Sequence, residues 1–301
     1  MDHGLNTMKI LVTTGQGSFE EQDWICPDPQ PNEIRVRTLL TGVCRSDIDM
    51  MRGDFIALPR HMMGHEGLGQ VIAVGSNIKD VKIGDLVATR GEPAYADEYC
   101  VRAREYVPVP ECHPRYIIEP VACGINCVSQ NLDLIKSKQK GRLLILGSGF
   151  LAWVAYNYIK YENLAFDITV VGNSNRDVWG NVLQSAPQGK YDVVIDLSSS
   201  TAVFEDDILN NQAVIVLASQ KTVTTDFGNL LWKACSIVFP SPRTENFYVA
   251  MLIAVNMIQS ERLNVDRFWT QGYDRSTEWL KAFSDAVARP LNYSRGYIQW
   301  H

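Results

Sequence analysis

The chain has 301 residues, 46% hydrophobic and 21% charged, with a formal net charge of −6, which suits a globular protein of two domains, or one large one, and argues against a nucleic-acid binder, which would normally show a basic face. No uninterrupted apolar run approaches the roughly 18 residues of a membrane span, and no basic-apolar leader opens the chain. Seven cysteines, an odd number at irregular spacing, argue against a disulfide framework and for a reducing, cytoplasmic setting without membrane partners.

From Met8 to about Cys112 short β segments are broken by Gly, Pro, Asn and Asp. Ile34-Arg35-Val36-Arg37 alternates apolar and charged residues, as a half-buried strand does. Further strands are expected over 69–75, 82–88 and 97–101, and a short helix over 45–51. Such strands joined by loops predict a small barrel or twisted sheet that carries its site on loops.

Two stretches break this pattern. Gly42-Val43-Cys44-Arg45-Ser46-Asp47 sets a thiol at a strand end, and Gly64-His65-Glu66-Gly67 sets an imidazole beside a carboxylate. Thiolate and imidazole are the usual protein ligands of zinc, and a catalytic zinc takes three of them plus a water or substrate. A lone cysteine or histidine is ordinarily a core residue. Both together, each flanked by glycine and each beside a carboxylate, favour a metal site.

The order and spacing of these blocks, followed by Gly84-Asp85-x-Val87, resemble the zinc-dependent medium-chain alcohol and polyol dehydrogenase family. The resemblance implies an α/β protein: a GroES-like β-rich catalytic domain over 1–117 and 266–301, and a doubly wound Rossmann-type cofactor domain over 118–265. It also implies zinc ligation by Cys44 and His65, a substrate proton passed outward by Ser46, and Asp47 behind the metal. Residues 89–94 run directly into the next strand without the four-cysteine lobe of many relatives, so one catalytic zinc and no structural zinc is expected. The relay position three residues beyond Ser46 holds Asp49, whose ordinary pKa of about 4 makes it a poorer proton carrier at neutral pH. His61 reads as a loop residue or one standing behind the metal ligands, and His3, His113 and His301 as incidental.

Ile118-Glu119-Pro120 places an acid before a proline, a common helix entrance. Glu119 either complements the helix dipole or supplies the third zinc ligand, as the Glu-Pro form does in the sorbitol-like branch that it resembles. The expected ligand set is Cys44, His65 and Glu119. Cys123, one helical turn on, is the alternative ligand, and Glu66 either ligates directly or exchanges with substrate.

Residues 141–146 form an apolar strand that enters Gly147-Ser148-Gly149-Phe150-Leu151-Ala152, and 153–161 reads as a helix. In that setting Gly147, Gly149 and Ala152 mark the turn whose backbone amides receive a dinucleotide pyrophosphate. The next strand, 167–171, ends at Gly172-Asn173-Ser174-Asn175-Arg176. An NAD site usually carries an acid there for the ribose. Here Gly172, Asn173, Ser174 and Arg176 suit a 2′-phosphate, so NADP is favoured over NAD. Arg45, beside Cys44, reads either as a pyrophosphate contact, as in some relatives, or as a surface ion pair.

Only residues 173–190 separate that strand from the next, over 191–197. They are too few for a full helix and third strand, so the sheet is expected to lack an edge strand. Later strands are expected over 211–218 and 235–239, helices over 246–259 and 276–288, and a closing strand over 296–300. The chain therefore reads as an oxidoreductase moving a hydride between a nicotinamide cofactor and an alcohol, polyol or sugar hydroxyl, in a family that commonly forms homodimers. The alternatives are a zinc-free quinone or enoyl reductase of the same superfamily and a non-catalytic dinucleotide-binding protein.

Overall fold

The computed structural model describes residues 8–14, 17–54, 63–205, 207–219 and 223–300; His3, His61 and His301 lie outside them. Two compact units share the chain, Met1–Pro120 with Ala254–His301, and Val121–Ile253. The first begins with β1 (Met8–Thr13), β2 (Phe19–Trp24), β3 (Glu33–Gly42), β4 (Gly67–Val74), β5 (Leu86–Thr89), β6 (Glu98–Arg102) and β7 (Tyr106–Pro108). The second holds β8 (Arg142–Leu146), β9 (Asp167–Val171), β10 (Leu183–Gln184), β11 (Tyr191–Asp196), β12 (Leu209–Leu217) and β13 (Ser236–Val238). The chain then returns to the first unit with β14 (Trp269–Asp274) and β15 (Arg295–Gln299).

In the first unit β1 and β2 pair antiparallel, and seven strands form a sheet ordered β14-β15-β3-β4-β5-β7, with β6 also on β3. The alternation along β3 does what its sequence predicts: Ile34, Val36 and Thr38 are buried and Arg37 is exposed. From Leu40 to Gly42 every residue is buried, because the strand end enters the site. Ile34, Val36, Val71, Val87, Tyr99 and Val101 belong to one core, and Leu11, Val43, Met63, Tyr95, Phe283 and Trp300 to another. Each such side chain contributes about 1.5–3 kcal/mol by leaving water.

Two elements differ from the sequence reading for local reasons. The strand expected over 82–88 begins at Leu86, because Asp85 accepts the Lys82 backbone N–H at 3.0 Å and closes a turn. The helix expected over 276–288 begins at Trp279, because Asp274 Oδ1 takes the Ser276 and Thr277 N–H groups at 2.8 and 3.0 Å.

The second unit is a parallel sheet ordered β10-β9-β8-β11-β12-β13. Its central strands β8 and β11 are nearly continuous apolar runs, as strands covered on both faces must be. The order reverses between β8 and β11, the switch point at which such sheets bind ligands. The edge strand expected to be missing survives as the two residues of β10, paired through Leu183↔Val170 and Gln184↔Val171.

The connection over 172–182 is too short for a full helix and holds the turn-length helix Arg176–Trp179 followed by a 3-10 turn, Gly180–Val182. One side chain covers instead. Trp179 is buried, edge-on to Trp153 at 5.3 Å and to Tyr156 at 5.4 Å, and its Nε1 donates to the Ser148 carbonyl at 3.0 Å. Among the described residues no helix is long and apolar enough to cross a membrane.

Candidate active site

The helix Arg45–Arg52 starts two residues after β3, with Cys44 as its N-cap. Asp47 reaches back and accepts the Cys44 backbone N–H at 3.1 Å, so the contact that starts the helix also fixes the thiol. The second arm, Met63 to Glu66, lies along residues 94 and 95: Ala94 N–H bonds the Gly64 carbonyl at 2.9 Å, and Tyr95 N–H bonds that of Met63 at 3.2 Å. Gly64 has φ +80°, and a Cβ there would stand 2.6 Å from the Tyr95 ring. Only glycine makes this turn.

These arms bring Cys44 Sγ, a ring nitrogen of His65 and a carboxylate oxygen of Glu66 within 4.8 Å of one another. Ser46 Oγ donates to Cys44 Sγ at 3.2 Å and stands 3.5 Å from His65 Nε2. On the other side of the ring, Nδ1 is 3.5 Å from Asp47 Oδ1, a buried oxygen that makes no hydrogen bond. Glu66 is held by Arg295, whose Nη2 lies 2.6 Å from Oε1 and also bonds Oε2. The guanidinium sits 4.9 Å above the Trp269 ring. A Cβ on Gly42 would strike Glu66 Oε2, so the bare glycine makes room for the carboxylate.

Glu119 opens the helix Glu119–Ser129 and is buried. Its negative charge bears on His65 and Arg295, but the compact donor group takes Glu66 as its carboxylate, and neither Glu119 nor Cys123 belongs to it. Burial, reinforced by the charge of Glu66, pushes the Cys44 thiol up, and burial likewise raises Asp47. Burial would lower His65, yet the charges of Asp47, Cys44 and Glu119 outweigh it and hold the imidazole well above its ordinary range. Burial also opposes the charge of Arg295, and Glu66 with Cys44 more than restores it. Acidic groups thus crowd around two cations, an arrangement that welcomes a further positive charge.

Arg45 Nε bonds Asp49 Oδ1 at 2.8 Å. Arg45 and Asp49 are thus paired along one helix.

In the second unit Gly147, at φ +109°, donates to the Val171 carbonyl at 2.8 Å, and Gly149 caps the helix Phe150–Tyr161, in which Ala152 is buried. Gly172 packs on Ser148, where a Cβ would fall 2.3 Å from Oγ. Ser174 N–H donates to Ser148 Oγ at 3.0 Å, and Asn175 Nδ2 joins Trp179 on the Ser148 carbonyl at 3.1 Å. Asn173, Ser174 and Arg176 are exposed around this turn. Sequence reasoning missed Arg295, Tyr95 and Trp179. Each lies far along the chain from the groups it holds, and no motif marks it.

Residues 30–112 match the family described as alcohol dehydrogenase GroES-like domain. Over 99 residues the chain is 37% identical to sorbitol dehydrogenase of Homo sapiens, a match that covers 31% of this chain and 28% of that protein. For sorbitol dehydrogenase of Ovis aries the match is 35% over 94 residues, covering 30% and 27%. The aligned stretch thus spans less than a third of these curated relatives.

A solved structure of an oxidoreductase/dehydrogenase of unknown specificity from Escherichia coli matches with a TM-score of 0.80 at 19% identity, covering 97% of this chain and 99% of that one. 2R,3R-butanediol dehydrogenase from Bacillus subtilis gives 0.78 at 15% identity, with the same coverage of 97% and 99%. At these identities the likeness is one of fold. Residues 30–112 thus match an alcohol dehydrogenase GroES-like domain, in a chain that shares its fold with these two dehydrogenase structures.

Proposed function

We propose that this chain is a zinc- and nicotinamide-dependent oxidoreductase that moves a hydride between its cofactor and an alcohol, polyol or sugar hydroxyl. The observation that carries the reading is the group Cys44, His65 and Glu66, with its donor atoms inside 4.8 Å. One thiolate, one imidazole and one carboxylate form a donor set that fits zinc. The orphaned Asp47 Oδ1 fits it too. Facing Nδ1, it calls for a hydrogen on that nitrogen and leaves Nε2 with a lone pair for a metal. A zinc ion there would supply Lewis-acid polarisation of the substrate oxygen.

The rest follows from the chain's own groups. Ser46 Oγ, bonded to Cys44 Sγ, is the hydroxyl placed to take the substrate proton. Asp47 keeps the His65 ring oriented. Arg295 compensates the buried Glu66 carboxylate, which would otherwise be a costly lone charge. Glu119, whose charge reaches His65, is the further carboxylate and the alternative third ligand. Asp49, paired with Arg45, is a weak onward carrier, so the proton leaves Ser46 for solvent.

A polyol or sugar, as in the sorbitol-dehydrogenase-like branch, is supported by ligation through a carboxylate, which makes a harder centre suited to vicinal hydroxyls. Dinucleotide binding is assigned to residues 118–265 with the turn at Gly147, Gly149 and Ala152. The small groups Gly172, Asn173 and Ser174, followed by the cation Arg176, favour NADP. Seven free cysteines support a reducing cytoplasmic setting. A homodimer through the outer edge of β13 is supported by exposed Trp232 and Phe239 beside a strand paired on one side. A zinc-free reductase would have no use for the three donors. The experiment is metal analysis with NADPH and NADH titration and a panel of alcohols, polyols and sugars. Stoichiometric zinc with turnover of a hydroxyl substrate is expected, and a well-folded protein that takes up no zinc refutes the reading.

A further inference from the structure

Tyr95 has no part in the ligand set, yet both arms of the site end on it. Its side chain is fully buried, and a phenylalanine would fill that space without the penalty of desolvating a hydroxyl. The hydroxyl stands 2.7 Å from Asp47 Oδ2 and 3.0 Å from the Gly42 carbonyl. It has one proton, and the shorter contact to the charged acceptor is the stronger bond. Asp47 Oδ2 also takes the Cys44 N–H, and its Oδ1 faces His65 Nδ1. A chain of contacts therefore runs from Tyr95 through Asp47 to both the thiol segment and the imidazole.

The same residue grips the histidine arm through its backbone and ring. Its N–H bonds the Met63 carbonyl, and its ring lies where a Gly64 Cβ would be. The ring is itself fixed edge-on by Phe283 at 5.3 Å and Phe19 at 6.3 Å. Its own carbonyl accepts the Leu11 N–H at 2.8 Å.

We propose that Tyr95 is the positioning residue of the metal centre, setting the distance and angle between the Cys44 arm and the His65 arm through its hydroxyl bond to Asp47 and its ring contact with Gly64. This rests on the metal-site reading above. It assigns to the hydroxyl a role that packing alone does not need. Groups that orient metal ligands from behind typically change metal affinity 10- to 100-fold, roughly, when removed.

The test uses the full chain stripped of metal and titrated with zinc against a competing chelator, and with cobalt to read the ligand-field spectrum. Tyr95→Phe keeps the ring and removes only the oxygen. It should weaken zinc binding by about 10- to 100-fold and shift the cobalt bands, while the metal-free protein stays folded with a modestly lowered melting temperature. Phe19→Leu loosens the packing around the ring but leaves the hydroxyl, and should lower the melting temperature with zinc affinity retained. Tyr95→Phe with zinc affinity within twofold of wild type and an unchanged cobalt spectrum overturns the proposal. So does Phe19→Leu that loses zinc as Tyr95→Phe does, since affinity would then follow packing. Wild-type protein that binds no zinc fails the metal-site reading itself, a distinct result.

Discussion

Replacing Arg295 by methionine probes the strongest electrostatic contact of the site. Methionine keeps much of the volume and removes the charge. The side chains of Arg295 and Glu66 are only 13% and 1% exposed, so the variant leaves a carboxylate buried without its cation. Breaking such a pair on one side costs about 3–5 kcal/mol, because the remaining charge cannot be hydrated. Losing the cation over the Trp269 ring adds about 1 kcal/mol or more. The assay is urea unfolding of the metal-free protein, comparing wild type with Arg295→Met and with Arg295→Lys, which restores charge but not the planar guanidinium. The lysine variant should fall between the others. Zinc should recover part of the deficit by placing a cation beside Glu66. A metal-free Arg295→Met protein within about 0.5 kcal/mol of wild type, the range of ordinary surface changes, would mean that Arg295 does not compensate the Glu66 charge.

Zinc uptake should release about two protons near neutral pH, because the Cys44 thiol is raised by burial and His65 by its acidic neighbours, and both must deprotonate to ligate. Affinity should therefore rise with pH, and competition titrations giving one value from about pH 6 to 8 would contradict this. Trp179→Ala should destabilise the second unit by about 3–5 kcal/mol and weaken NADPH binding, read by thermal melts and fluorescence titration; a loss below about 1 kcal/mol would mean that the indole does not stand in for a helix. Ser174→Asp combined with Arg176→Ala should move the ratio of NADPH to NADH affinity toward NADH by about tenfold or more, some 1.4 kcal/mol. An unchanged ratio removes the argument for NADP.

The parts of the site that were legible in the sequence are those with local causes. Cys44 and His65 each stand in a short stretch whose glycines and neighbouring acids make sense only together, and β3 reveals itself by alternation over Ile34 to Arg37. What was not legible depends on contacts across the chain. Arg295 meets Glu66 from β15, and nothing around Tyr293-Ser294-Arg295-Gly296 says that the guanidinium faces a carboxylate. The choice between Glu66 and Glu119 as third donor is a question of ångströms that spacing does not answer. The offset of Asp49 from Ser46 marks a relay position, and the pairing with Arg45, four residues back, is added by helix geometry. Strand β10 was lost because two residues leave no period to detect, and Trp179 because its covering role exists only once a helix is shortened.

The most direct test of the account is the zinc content of the full-length wild-type chain purified with zinc available, set against Cys44→Ser. About one zinc per wild-type chain is expected, with loss of that zinc in the variant and, with it, of hydroxyl-dependent reduction of the nicotinamide cofactor. A folded wild-type protein without zinc, or a Cys44→Ser protein that keeps both zinc and activity, would contradict it.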